Sequence, residues 1–487
     1  MKKYILIILC CLTSFPLWSY NVNMIVEHYS VDQGLPNNTV NCTLKDRDGF
    51  IWFGTWYGLC CFDGVKFKTF NKQEHDSDVP PRKIQRIVED KNGYIWVKTI
   101  DRKLYVFNKV TECFHAVYDD MKNYSENIQV IKLQNTAEGD VLLLTKDKNL
   151  LLAGVDEKGQ VTIKILFDSR NEINKHDYTL KHHVLCETEE YISWIGTDYK
   201  VAAVHKGSEL ASRPADFITS KINSGDKDSF TSFFEDGRKV WVGDRAGIFY
   251  SIDVRTGLVN RYVLSEIKGA ISNLLVTPAG YVYLSVAGQG TYEYDLAERR
   301  LQKINTEMND AMVTHAFIDQ YDKIWFHENE KALIYYDPLN HTAKRFPFTM
   351  FGKITTLYSE DAGERGLFFL SPAGEAWLFD REHAEMVYIN KLKQLSNDRA
   401  NQQFYHLMLD NDGVLWLSSA DEGVYCMNFP KKQFNLLSLS PQSVGQENYA
   451  TGVRALFQSK SGDIWVGTRW QSVYRMDRCN QTCFFDR

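Results

Sequence analysis

The 487-residue sequence predicts an all-β fold, a β-propeller with a seven-bladed ring followed by an incomplete second propeller. Three observations predict it. A turn of the Asp-x-Asp-Gly kind leads into an apolar, Trp-centred strand again and again along the chain. The copies recur at one blade-sized step. Aromatic residues make up 13% of the chain, a strand-favouring composition, while helical periodicity is scarce.

The clearest unit runs from Asp46 to Phe62, DRDGFIWFGTWYGLCCF. Its Asp hydrogen-bonds the local backbone and its Gly accepts positive φ, which together make a tight turn. The run that follows, Phe50 to Thr55, is apolar on both faces, as befits a sheet sandwiched between other sheets. A hairpin at Asp63-Gly64 then leads to an outer strand, Phe67 to Phe70. Trp-centred copies return at Trp96, Trp241, Trp325, Trp416 and Trp465, with weaker ones at Leu142, Trp194, Tyr283 and Phe368. Nine steps between positions 52 and 465 give about 46 residues each, the size of a four-stranded blade. Further outer strands are expected at Arg261 to Leu264, Ala343 to Phe348 and Phe434 to Leu437.

The lone strand-like run Ile25 to Val31 precedes the first copy and is expected to close a ring as the outer strand of the Trp325 blade, leaving no open sheet edge. That places the first propeller at residues 24–337 and about three blades of a second at 338–487. Ile389 to Gln403 is the best helical candidate. A parallel β-solenoid is the structural rival, but its turns are shorter and lack hairpin signals.

Residues 1–19 read as an export signal: Lys2 and Lys3, an apolar run, and a small residue at Ser19. Leu9 before Cys10 is unlike the small residue of lipoprotein signals. No later stretch has the length of a membrane helix, so a periplasmic protein is expected. Of the remaining cysteines most sit in strand-like runs as buried free thiols, while Cys479 and Cys483 could pair. With 56 Lys+Arg against 62 Asp+Glu mixed along the chain, nucleic acid is not an expected partner.

No Gly-x-Ser-x-Gly, HExxH or zinc-like Cys/His spacing occurs, and no cofactor, metal site or catalytic residue is predicted. His182-His183 lacks a third ligand and reads as a loop pair. The recurring acids (Asp46, Asp48, Asp90, Asp236, Asp319, Asp410 and Asp412) read as turn formers rather than paired catalytic carboxylates. The recurring tryptophans read as inter-blade core.

Tyr29 to Phe67 carries Gln33-Gly34-Leu35-Pro36, the Asn37-Asn38 start of the next strand, the Asp48-Gly49 turn, Trp52-Phe53-Gly54-Thr55 and Gly58-Leu59. Val453-Arg454-Ala455 and Trp465 to Arg469 look like a later copy. The stretch resembles the two-component regulator propeller repeats of periplasmic sensors in hybrid two-component systems. The resemblance implies a ligand-binding sensor that recognises an oligosaccharide and controls glycan-use genes. Relatives also carry a β-sandwich, a membrane helix and a histidine kinase; this sequence ends within the propeller region. Transmission of a signal by this polypeptide alone is therefore in doubt. The sensor is not expected to be an enzyme; a polysaccharide lyase and a protein-docking scaffold are the rival classes. Expected partners are an oligosaccharide or other small ligand, and a second copy of the chain through the propeller. The ligand is expected on the loops after the Trp strand: Trp56, Tyr57, Asp101, Arg102, Asp198, Tyr199, Asp244, Arg245, Glu328 and Asn329. Aromatic rings at hairpin tips, beside Asp, Arg and Asn, suit a sugar.

Overall fold

A computed structural model describes residues 25–70, 81–122, 129–169, 180–196, 201–207, 215–216, 230–304, 313–328, 331–348, 358–363, 366–371, 375–389, 404–428, 453–460, 463–468, 473–476 and 482–485. These residues form ten four-stranded antiparallel sheets, the propeller architecture expected from the repeat. Two compact units contain them, Met1–Phe429 with nine sheets and Pro430–Arg487 with one.

The first blade sets the pattern. Val40–Lys45, Ile51–Thr55, Gly58–Phe62 and Phe67–Phe70 pair in chain order. Every residue of Ile51–Thr55 is buried, because neighbouring blades cover both faces of the strand. The expected copies at Trp96, Leu142, Trp194, Trp241, Tyr283, Trp325, Phe368 and Trp416 all sit in the second strand of a sheet. In the first unit, six of the recurring tryptophans are at most 5% exposed. Nine apolar clusters fill the nine blade junctions in cyclic order. The last one packs Trp416, Val424 and Cys426 against Phe53 and Phe62 of the first blade. Thr43 Oγ1 and Ser418 Oγ meet there at 2.6 Å.

Closure differs from the sequence expectation. Ile25–Tyr29 pairs with Val424–Asn428, in the blade of Trp416, not with the blade of Trp325. The reason is edge availability. The Trp325 blade already has its own outer strand, Thr342–Pro347, whereas Phe404–Leu409, Leu415–Ser419 and Val424–Asn428 leave an outer edge free. The ring of the first unit thus closes after nine blades, and the unit boundary falls at 429/430 rather than 337/338.

Gly423 lies where the incoming strand lands. Its φ is +91°, and a Cβ would stand 2.2 Å from the Tyr29 carbonyl oxygen. Gly423→Ala is therefore expected to cost more than about 1 kcal/mol and to expose the Ile25–Tyr29 strand first, read as early amide exchange at residues 25–29.

Other expectations shift locally. Ile389 ends a strand, Glu385–Ile389, and the rest of the helical candidate, 390–403, lies outside the described residues. The outer strand expected at Arg261 to Leu264 runs Leu258–Tyr262. Phe434 to Leu437, Cys479 and the export segment 1–19 also lie outside them, as does the Cys483 side chain. Cys42, Cys60, Cys61, Cys113 and Cys426 are free thiols, and burial pushes Cys42 and Cys60 up to about 12.

Candidate functional site

The two rims of the ring are built differently. At one rim, the first turn is held by an Asp in five blades, at Asp46, Asp90, Asp236, Asp319 and Asp410, and by a Thr hydroxyl at Thr136, Thr188 and Thr277. Asp46 Oδ1 accepts from the backbone N–H groups of Asp48 and Phe50, at 3.0 and 2.9 Å, while Oδ2 accepts from the Trp52 indole N–H at 2.8 Å. The bond repeats between Trp96 and Asp90 (2.9 Å), Trp241 and Asp236 (2.8 Å), Trp325 and Asp319 (3.2 Å), and Trp416 and Asp410 (3.0 Å). These acids are turn formers, as the sequence indicates. Their link to the tryptophan was readable only in a spacing of five or six residues between the two.

Cations clasp neighbouring blades at the same rim. Lys109, Lys206 and Arg381 each directly follow the third strand of a blade. Each reaches back to the first turn of the preceding blade and to the last residue of its own blade's first strand. Lys109 Nζ meets Asp46 (3.0 Å), Asp48 (2.9 Å) and Glu89 (2.8 Å). Lys206 Nζ meets Glu138 (3.0 Å) and Glu187 (2.7 Å), and Arg381 meets Asp319 (2.6 Å) and Asp361 (2.8 Å). Among the described residues, Asp46, Asp48 and Glu89 are the one acidic group close enough to share a cation, and the Lys109 ammonium stands among them. The blade after that of Lys206 has Val254 in place of the cation, and there Glu235 is pushed up to about 7 by burial and then by the Glu187 charge.

The opposite rim carries the loops expected to bind ligand. A belt of backbone hydrogen bonds knits them: Gly423 N–H to Asn38 O (2.8 Å), Trp56 N–H to Thr39 O (3.2 Å), Lys83 N–H to Trp56 O (3.0 Å), Ile100 N–H to Lys83 O (2.9 Å) and Val130 N–H to Arg102 O (3.0 Å). Trp56 is 43% exposed and Tyr57 58%, and the Lys83 ammonium stands 5.2 Å from the centre of the Trp56 ring. Asp101 and Arg102 border a cavity of about 400 Å³ that also touches Tyr105, Tyr118 and Gln129. Arg245 is exposed.

Two expected ligand residues are used otherwise. Asp244 is 2% exposed, and its Oδ1 accepts from Ala246 and Ile248 N–H at 2.9 and 2.8 Å. Glu328 is 4% exposed and held by Arg345 at 3.0 Å. Asp244 thus turns back onto its own hairpin and Glu328 onto the outer strand of its blade, and neither faces outward. Asp198, Tyr199 and Asn329 lie outside the described residues.

A basic sector at this rim is not visible in the linear sequence. Of seven cations between residues 82 and 103, six (Arg82, Lys83, Arg86, Lys98, Arg102 and Lys103) sit at this end of their blade beside one acid, Asp101, while Lys91 sits with Glu89 and Asp90 at the other end. Spread along the chain, they look evenly mixed with acids.

No curated protein matches the chain. Among solved structures, it is similar to the extracellular domain of a putative hybrid two component system from B. thetaiotaomicron, at 14% identity and TM-score 0.33, over 95% of this chain and 66% of that one. An extracellular domain of a putative one component system from the same organism is 18% identical, with TM-score 0.30, over 93% and 61%. The Dos1 propeller is 12% identical, with TM-score 0.44, over 82% and 93%. The chain thus spans about two thirds or less of the length of the two extracellular domains. Residues 34–57, from the Gly-Leu-Pro start through the Trp56-Tyr57 tip, match the family model described as two component regulator propeller.

Proposed function

We propose that the chain is a periplasmic ligand-binding sensor module of a two-component regulatory system, that it recognises an oligosaccharide, and that a second copy of the chain is a partner. The observation that carries this reading is that the matched repeat, residues 34–57, ends on the exposed Trp56-Tyr57 tip, at the same rim as the cavity beside Arg102. Half-exposed aromatic rings next to hydrogen-bonding side chains suit a sugar, whose C–H face stacks while its hydroxyls bond. The recurrent carboxylates support a non-enzymatic role, since their oxygens are taken by turn N–H groups and indoles.

Titration of the purified chain with short oligosaccharides tests it. Binding without product is expected, and Trp56→Ala together with Tyr57→Ala should weaken it about tenfold, the scale of a lost stacking contact. The melting temperature should barely move, because both side chains are exposed. Release of unsaturated sugar ends would instead make the protein a lyase, and unchanged affinity in the double variant would remove this rim as the site.

A further inference from the structure

One position in the blade pattern holds a residue that the fold does not ask for. Two residues after the Trp-equivalent, the second strand carries Gly54, Leu144, Gly196, Gly243, Ser285, Leu370 and Ser418 in seven other blades of the ring and His327 in the Trp325 blade. All but His327 are small or apolar, because the site is enclosed: a Cβ at Gly54 would stand 2.4 Å from Cys42 Sγ. In the Trp96 blade the residue is Lys98, only 6% exposed. Its ammonium donates to Gln85 Oε1 at 2.6 Å, and among the described residues it has no ion pair.

Its charged neighbours make the placement less favourable still. Arg86 is its direct partner across the strand ladder, so both side chains leave the same face of the sheet. Arg102, held at φ +67°, stands at the tip of the following hairpin. Burial first, then the charges of Arg102 and Arg86, hold the Lys98 ammonium below its usual range. Neither arginine has an ion pair among the described residues, and both are exposed at the ligand-facing rim. A bulge of the inner strand at Gln85 contributes: the side chains of the bulged residues Asn41 and Thr231 bond to a backbone carbonyl of the next blade, whereas Gln85 turns to Lys98.

A buried cation facing two further cations costs free energy unless an anion completes the group. We propose that Arg86, Lys98 and Arg102 form the anion-receiving part of the ligand site, and that the oligosaccharide is acidic, bearing a carboxylate or a sulfate. Arg supplies a planar fork that fits either group, and the buried Lys supplies a desolvated point charge behind it. The inference rests on the sensor reading above and narrows its ligand.

Three probes of equal length test it by calorimetry: trigalacturonate, a sulfated trisaccharide and neutral maltotriose. An acidic probe is expected to bind and maltotriose to bind at least about tenfold more weakly, with affinity falling as salt rises. Which acidic probe is tighter distinguishes carboxylate from sulfate. Arg86→Ala should weaken the acidic probe about tenfold or more without changing the melting temperature. Lys98→Met should weaken it similarly while raising the melting temperature, an outcome that a lysine serving only the fold would reverse. Maltotriose binding as tightly as the acids, or acid affinity unchanged in both variants, overturns the anion site and leaves the sensor reading standing. Absence of binding by all three at millimolar concentration removes both.

Discussion

Replacing Trp325 by alanine is expected to lower the unfolding free energy by about 3 to 5 kcal/mol, the range for a large aromatic lost from a core that cannot collapse around the gap. The indole is fully buried at the junction of two blades. Rings of both blades surround it, with Tyr335 at 5.2 Å in its own sheet and Phe369 and Phe379 at 5.2 and 4.7 Å in the next. No single neighbour can fill the space, because each is itself fixed by strand pairing. The indole N–H adds a second loss, since Asp319 Oδ2 would keep only Arg381. Trp325→Phe separates the two: it retains most of the burial and should cost about 1 to 2 kcal/mol, the hydrogen bond and a partial void. Urea denaturation of the two variants checks this. A cost below about 1 kcal/mol for alanine would contradict the inter-blade packing role.

Lys109→Met should have the next largest effect, about 2 to 3 kcal/mol at neutral pH. Breaking a fully dry ion pair costs about 3 to 5 kcal/mol, and here the lysine side chain is still 17% exposed, so water softens the loss. What destabilises the variant is the remaining carboxylate pair: Asp46, with a fully buried side chain, would lose its cation, and Glu89, 9% exposed, would keep only the half-exposed Arg47 at 3.2 Å. The pH dependence follows from the sign of the shift. Burial alone would lower the Lys109 ammonium, but its hydrogen bonds to Glu89, Asp48 and Asp46 outweigh it and raise the group above 10.5. A raised lysine stabilises the fold fully below its unfolded pKa and loses that contribution as pH climbs through the folded one. The native chain should therefore weaken above about pH 10.5, and the variant should not share that loss. Melting curves at pH 7 and 11 read both.

The blade plan was legible because it is written locally. Asp46, Gly49 and Trp52 fall within one turn and one strand, and the same chemistry recurs at each blade. Even copies without Trp, at Leu142, Tyr283 and Phe368, were placed in the right strand by their spacing. Ring closure was not legible, because it depends on which sheet lacks an outer strand, and Thr342–Pro347 fills one candidate edge while Val424–Asn428 leaves the other open. The site was half legible. Trp56, Tyr57, Arg102 and Arg245 are on the surface as their loop positions suggest, but Asp244 and Glu328 are buried by side-chain hydrogen bonds that hairpin composition does not encode. The basic sector escaped notice because a sheet gathers residues 82 to 103 at one end by alternating direction, which a count along the chain averages away.

The seam between Ile25–Tyr29 and Val424–Asn428 also sets a timetable. His28 and Glu422, hydrogen-bonded across it, are 394 positions apart. At a synthesis rate of about 5 to 20 residues per second, the first strand waits roughly 20 to 80 seconds for its partner edge to exist. Each inner hairpin can zip as it is made, but the ring stays a growing arc with two sticky ends until the last blade arrives. Closing so long a loop adds only a modest entropic cost, because that cost rises with the logarithm of length. The hazard is kinetic instead: an early strand kept idle can pair with the wrong edge, including the same edge of a neighbouring nascent chain. His28, which stacks on Tyr425 at 4.5 Å, and Tyr29, set against Phe62 at 5.0 Å, act as a key that fits one lock.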